Sequence, residues 1–286
     1  IMSENNKLST LIDGSVYAES VCDHAAWIAQ RRHCAIELLH VIGRRQAARH
    51  DVSGTIALGA RSSMLEELTR LEGDMARVAQ QHGRALLDGG ADRIAQRGLE
   101  RPETRLRIGD LVDETNEALR EAAMLVIGKR GEAADFARLH LGSNLERMVR
   151  SSEGPLLVAS RTFRPIRRML TASDGRSSAR KAVEAVGTDP MFSGLDVTLL
   201  MAGDNTKDVE AVLAEPKGLL EHAGLNVSAE VVSGPPVEAI SARAQGDAFD
   251  MLVMGAFGGG RLRSMLIGST TTEMLISCRV PVLLFR

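Results

Sequence analysis

The residues whose types and spacing could do chemistry cluster in MGAFGGGRLRSMLIGSTTTEML, residues 254–275. Five glycines in fifteen positions are followed there by Ser269 and three threonines. Apolar runs of strand length, FDMLVM and VPVLLF, flank the stretch. Glycine lets backbone N–H groups approach an anion that a side chain would hold away, and a helix opening at such a loop adds its own N–H groups. The plainer reading is a tight turn between strands. An earlier stretch repeats the pattern: MLVIGKRG (124–131) matches MLVMGAFG (251–258), and Gly142-Ser143 matches Gly268-Ser269. Each copy also places an aspartate after its first apolar run, Asp13 in STLIDGS and Asp174 in MLTASDGRS. A carboxylate accepts hydrogen bonds from an adenine amine or a ribose hydroxyl, while bare amides and a serine hydroxyl hold phosphates. Asp-Gly in one copy would read equally well as a turn; both elements recurring twice favours a site.

These residues need elements to position them. In the second copy, strands are expected near 168–173, 196–201, 227–232, 250–255 and 280–285, with helices near 176–186, 206–223, 236–245 and 269–277. Runs such as VTLLM and MLVM do not alternate, as expected of strands covered by helices on both faces. Five parallel strands with right-handed crossovers make a doubly wound, Rossmann-like α/β domain of strand order 3-2-1-4-5. That order brings the first-strand aspartate and the fourth-strand glycine loop to one crevice beyond the carboxyl ends of the strands. Two tandem five-stranded domains are expected, 1–160 and 161–286, dividing at RTFRPIRR (161–168), whose four arginines read as a solvated linker rather than a phosphate site. Asp13 and Gly128 are 115 positions apart against 81 for Asp174 and Gly255, so the first copy carries about 34 additional residues. They fall at about 54–98, where Met64, Leu65, Leu68, Leu71, Met75 and Val78 recur at helical spacing. A long amphipathic helix is expected there, its apolar face covering the core, with a partner surface as the alternative. The two lobes are expected to keep separate sheets and to pack through their closing strands, GPLLVAS (154–160) and VPVLLF (280–285). Such apolar edges need covering by each other or by another chain, giving a pseudo-dimeric monomer or a homodimer.

The spacing Gly-x2-Gly-x9-Gly-Ser in Gly255, Gly258, Gly268 and Ser269 resembles the nucleotide loop of the universal stress protein family; in Gly128, Gly131, Gly142 and Ser143 the nine becomes ten. ELLHVIG (37–43), VVSGPPVEAI (231–240), the strand-end aspartates and the closing VPVLLF are similar to the family's segments as well, over nearly the whole chain. The resemblance implies a tandem member that binds ATP, with or without Mg²⁺, between the first-strand aspartate, the end of the second strand and the glycine loop. It implies that Asp174 and Ala202 contact adenosine in the second lobe, with Gly255, Gly258, Gly268 and Ser269 on ribose and phosphates. Asp13, Val41, Gly128, Gly131, Gly142 and Ser143 are the first-lobe counterparts.

Other chemistries find little footing. At 286 residues, 44% hydrophobic and 25% charged, with net charge −2, the chain has the composition of a globular protein without a field for nucleic acid or an acidic membrane surface. One Trp, one Tyr and six Phe give few platforms for stacking bases. No apolar run reaches membrane-spanning length and no signal peptide is visible; three scattered cysteines, Cys22, Cys34 and Cys278, point to a reduced, cytoplasmic setting. There is no GxGxxG after the first strand, no GxxxxGK[ST] loop and no GxSxG elbow. The histidines lack paired ligand spacing: His24 and His33 are nine apart, and His40 reads as a packed residue. No catalytic residue and no metal ligand is therefore named.

A nucleotide-binding stress-response regulator acting through occupancy and an unidentified protein partner is the first functional reading. The alternatives are a weak ATPase or nucleotide-dependent transferase on the same fold, which would need a general base or Walker-type lysine that the sequence does not offer, or a scaffold with degenerate nucleotide sites. The second loop is expected to bind better: it adds Gly259, Gly260, Arg261 and Arg263, whereas the first sets Glu132 and Asp135 against Lys129 and Arg130.

Overall fold

In the computed structural model, residues 6–43, 60–131, 143–202, 207–244, 248–256 and 269–286 are described. Strands and helices alternate along the first half: β1 (Lys7–Leu11), α1 (Ala18–Arg32), β2 (Ala35–Gly43), α2 (Ala60–Gln96), β3 (Glu103–Gly109), α3 (Leu111–Arg120), β4 (Met124–Gly128), α4 (Ser143–Ser151) and β5 (Leu156–Ala159). The second half repeats the order with β6 (Arg168–Ala172), α5 (Ser177–Thr188), β7 (Asp196–Ala202), α6 (Lys207–His222), β8 (Asn226–Val232), α7 (Pro236–Ala244), β9 (Met251–Gly255), α8 (Ser269–Ser277) and β10 (Val282–Phe285). Every strand and helix expected in the second copy is present within a few residues.

The strands lie in the order β3-β2-β1-β4-β5-β10-β9-β6-β7-β8. Within each half all pairings are parallel and the order is the expected 3-2-1-4-5. The expectation of two separate sheets is corrected here. β5 and β10 pair antiparallel, with Leu157 opposite Leu283, so ten strands form one sheet. The cause lies in the closing strands themselves. All four residues of each are buried, and a buried backbone edge requires hydrogen-bond partners, which each strand finds in the other. The free edges are β3 and β8; β3 carries Glu103, Arg105 and Arg107, charges that discourage further pairing.

Because helices cover both faces, the central strands are apolar on both. Leu8, Leu38, Val126, Leu157, Met169, Leu199, Val253 and Leu283 share one core with residues of α1, α2, α5 and α6. Leu125, Ile127, Leu156, Leu170, Leu252 and Leu284 share the other with α3, α4, α7 and α8. Both faces of the joint are clasped by polar contacts. On one, Arg31 donates to the Met191 and Ser193 carbonyls, and Arg32 lies 3.4 Å from Asp189. On the other, Lys129 Nζ donates to the Ile276 and Cys278 carbonyls at the end of α8, while Arg286 donates to those of Arg150 and Ser152 at the end of α4. In the 161–168 stretch the four arginines are exposed, as expected, and Ile166 anchors the segment in the core.

The long helix of the first half is α2, 37 residues, but its apolar face covers the core along only part of its length. Leu87, Ala91 and Ile94 are buried, whereas Met64, Leu71, Met75 and Val78 are 46–66% exposed. The expected core role for those earlier residues is corrected accordingly; the side chain of Leu65 lies outside the described residues. At about 1.5 Å per residue α2 is roughly 55 Å long, and at about 3.3 Å per residue a nine-residue strand reaches only about 30 Å, so the helix outruns the sheet beneath it.

Candidate functional site

The two halves end their first strands alike. Ile12 N donates to Leu39 O and Ser173 N to Leu200 O, both at 2.9 Å, which sets Asp13 and Asp174 at equivalent positions beyond the sheet. The same register makes Val41 and Ala202 equivalents near the ends of β2 and β7. Each aspartate closes an Asx turn into the next helix. Asp13 Oδ1 accepts from Ser15 N at 3.0 Å, and Asp174 Oδ1 accepts from Arg176 N at 2.9 Å. In the first half the second carboxylate oxygen, Oδ2, lies on the side of Gly131. In the second, Arg176 Nε lies 3.7 Å from Asp174 Oδ2, a solvent-exposed pair that holds the carboxylate weakly.

The glycines that close β4 and β9 are set by packing. A methyl added at Gly128 would lie 2.9 Å from Tyr17 Cβ, and one at Gly255 would lie 2.5 Å from Ser178 Oγ and 2.8 Å from the Ser178 carbonyl carbon. These glycines let the helix that follows the aspartate sit directly on the strand that leads into the loop. One turn further, a methyl at Gly131 would lie 3.2 Å from Asp13 Oδ2. The first-half loop and carboxylate therefore meet at one crevice, the juxtaposition expected from strand order. Ser143 and Ser269 are the first residues of α4 and α8, nine residues each, so the N–H groups of a helix start stand where each loop ends. Gly142, Gly258 and Gly268 lie outside the described residues, as do Glu132, Asp135, Gly259, Gly260, Arg261 and Arg263.

Two residues take parts that the sequence reading did not assign. His40 Nδ1 is 2.8 Å from Ile12 O, beside Asp13, and its ring packs where α2 approaches at Gly83, so it buttresses the end of β1. Its counterpart by register, Met201, has no such bond to offer. Lys129, counted with the first glycine loop as a cation, is directed instead to the carbonyls of α8 in the other half, and burial pushes its ammonium down to about 8. Nothing in the sequence around Lys129 signals this, because its acceptors lie 147 and 149 positions away. His24 is fully buried, its Nδ1 2.7 Å from Ser20 O and its ring edge-on to Phe163 at 4.9 Å. Desolvation holds its imidazole down to about 4. The three cysteines are unpaired, and burial raises each thiol, which suits packing rather than reactivity. Among the described residues no group of three or more His, Cys, Asp or Glu could hold a metal ion, and no helix is long and apolar enough to cross a membrane.

A repeated parallel sheet of order 3-2-1-4-5, with an aspartate and a strand-end glycine at its switch point, defines a tandem doubly wound α/β protein. The profile of the Universal stress protein family matches residues 6–160 and 188–286, and the chain belongs to that family. It is 34% identical over 279 residues to a curated universal stress protein of Synechocystis sp., across 96% of this chain and 97% of that one. Among solved structures, a universal stress protein from Archaeoglobus fulgidus superposes with a TM-score of 0.70 at 20% identity, covering 99% of both chains. One from Pseudomonas aeruginosa gives 0.62 at 16%, covering 99% of this chain and 94% of that one. These two likenesses are of fold.

Proposed function

We propose that the chain binds ATP, or a closely related adenine nucleotide, in the two strand-end crevices and acts as a stress-response regulator whose state is set by occupancy. The units are 1–160 and 161–286. The observation that carries the reading is the approach of Gly131 to Asp13, where an added methyl would stand 3.2 Å from Oδ2, a tight contact between carboxylate and loop. The residues present fit the ligand. Asp13 and Asp174 would accept from the adenosine, Val41 and Ala202 would flank it, and Gly128, Gly131, Gly255, Gly258 and the Gly142-Ser143 and Gly268-Ser269 helix starts would hold ribose and phosphates. A Mg²⁺ would enter on the phosphates. The protein contributes binding and orientation in this reading, and no residue is assigned to a hydrolytic step.

The two sites are proposed to differ, the second binding better. Lys129 supports this: a cation engaged with the carbonyls of α8 is not free to face a phosphate in the first crevice. Calorimetric titration with ATP tests the reading. Gly268→Val should remove most binding, and Gly142→Val should leave most of it. Loss confined to the Gly142 variant would reverse the assignment, and no binding by the parent protein would end it.

A further inference from the structure

The duplication supplies an internal comparison for a groove outside the nucleotide crevices. α7 and α8 pack side by side on one face of the sheet and leave between them a shallow, open groove of about 460 Å³. Val237 and Ile276 give it apolar lining, Glu238 and Glu273 exposed carboxylates, and Ser241 and Ser277 hydroxyls. A volume of this size falls within the range of small-ligand sites. Ser241 Oγ donates to Ser277 Oγ across the two helices at 3.4 Å. Neither glutamate has an ion-pair partner among the described residues.

The equivalent place in the first half lies between α3 and α4, and there the chain fills it from within. The segment GDLVDE (109–114) aligns with GPPVEA (234–239), and both α4 and α8 open at a Gly-Ser, so Arg147 stands where Glu273 stands and Asp110 where Pro235 stands. Arg147 reaches across from α4 to Asp110, the N-cap of α3, through three contacts of 3.2 Å. Asn116 Nδ2 donates to Ser151 Oγ at 3.0 Å, at the positions of Ser241 and Ser277. One copy of the groove is thus closed by its own guanidinium on a carboxylate. The other has lost that arginine, gained a glutamate in its place, shortened the bridging side chain and stands open.

We infer that the α7–α8 groove receives an arginine side chain of a partner protein, its guanidinium between Glu238 and Glu273 and its methylenes on Val237 and Ile276. Charge complementarity selects a cation, and the first half supplies the form: a planar, forked donor on a carboxylate, which an ammonium reproduces poorly. An apolar stem with a cationic head matches the apolar lining and the carboxylates together. The site is separate from the nucleotide reading and stands or falls without it.

The test is NMR titration of the full chain with a blocked pentapeptide of four alanines around one arginine. Amide shifts should be confined to 237–242 and 273–277, and the citrulline peptide should bind at least about tenfold more weakly, about 1.4 kcal/mol. Glu238→Gln with Glu273→Gln, both exposed positions, should give the same loss. Glu273→Arg with Pro235→Asp, which restores the first-half tie, should abolish the shifts while the α3–α4 face stays unmoved throughout. Equal binding of the citrulline peptide, shifts scattered over other acidic surfaces, or no localised shift would overturn the inference. A blocked single arginine binding as tightly as the pentapeptide would overturn its commitment to a partner chain.

Discussion

Gly255→Ala puts the tightest contact at the crevice under direct strain. The added methyl would sit 2.5 Å from Ser178 Oγ and 2.8 Å from the Ser178 carbonyl carbon. The hydroxyl can rotate away, but the carbonyl carbon belongs to α5 and moves only with the helix. At Gly128 the nearest atom is Tyr17 Cβ at 2.9 Å, with no backbone of α1 within the closest contacts. Overpacking costs about 1–3 kcal/mol, so Gly255→Ala should fall near the upper end of that range and Gly128→Ala below it. The displaced element is the one that follows Asp174, so the same variant should weaken ATP binding at the second site, by about tenfold if 1.4 kcal/mol of the strain is felt there. Gly89→Ala is the control: it lies inside α2 with nothing within 4 Å of the added methyl, and should stabilise by about 0.5–1 kcal/mol. Urea unfolding monitored by circular dichroism gives the three stabilities, and calorimetry the affinity. A Gly255→Ala protein as stable as its parent, or a Gly128→Ala protein that loses more, would refute the packing argument.

Protonation and the joint between the halves give further outcomes. His24 stays neutral in the folded chain down to about 4 but takes up its proton near 6.5 when unfolded, so its contribution to stability is lost as pH falls from 6.5 through 4. That portion of the acid slope should shrink in His24→Gln, measured as denaturant midpoints across the window; an unchanged slope would count against the buried imidazole. Lys129 behaves in the opposite range: the folded chain releases its proton near 8 and the unfolded chain near 10.5, so stability should rise between those values and rise less in Lys129→Met. Leu157→Ala removes a fully buried side chain opposite Leu283 and should cost about 2–5 kcal/mol, destabilising both halves in one transition. Separate transitions for the halves, with only one shifted, would contradict a shared sheet.

Much of this architecture is legible in the sequence because duplication doubles every signal. Two first-strand aspartates and two fourth-strand glycine loops, although 115 and 81 positions apart, point to the same strand order, and that order brings Asp13 against Gly131. What is not legible is decided by partners distant in sequence. The pairing of Leu157 with Leu283 joins strands more than a hundred residues apart, and an apolar closing strand reads the same whether it meets a second sheet face-on or edge-on. Lys129 looks like a loop cation because its neighbours are loop residues; its acceptors are 147 and 149 positions away. The periodicity of Met64, Leu71, Met75 and Val78 reports a helix correctly and its burial incorrectly. A hydrophobic stripe carries no information about whether the sheet extends beneath it.

The central claim, that the strand-end crevices hold an adenine nucleotide, is met most directly by the contents of the protein itself. The chain purified without added nucleotide, then denatured and filtered, should release an adenine nucleotide identified by absorbance near 260 nm and by mass spectrometry, and Asp174→Ala should release less. A parent protein that releases none, and that gives no heat with millimolar ATP, would contradict the account.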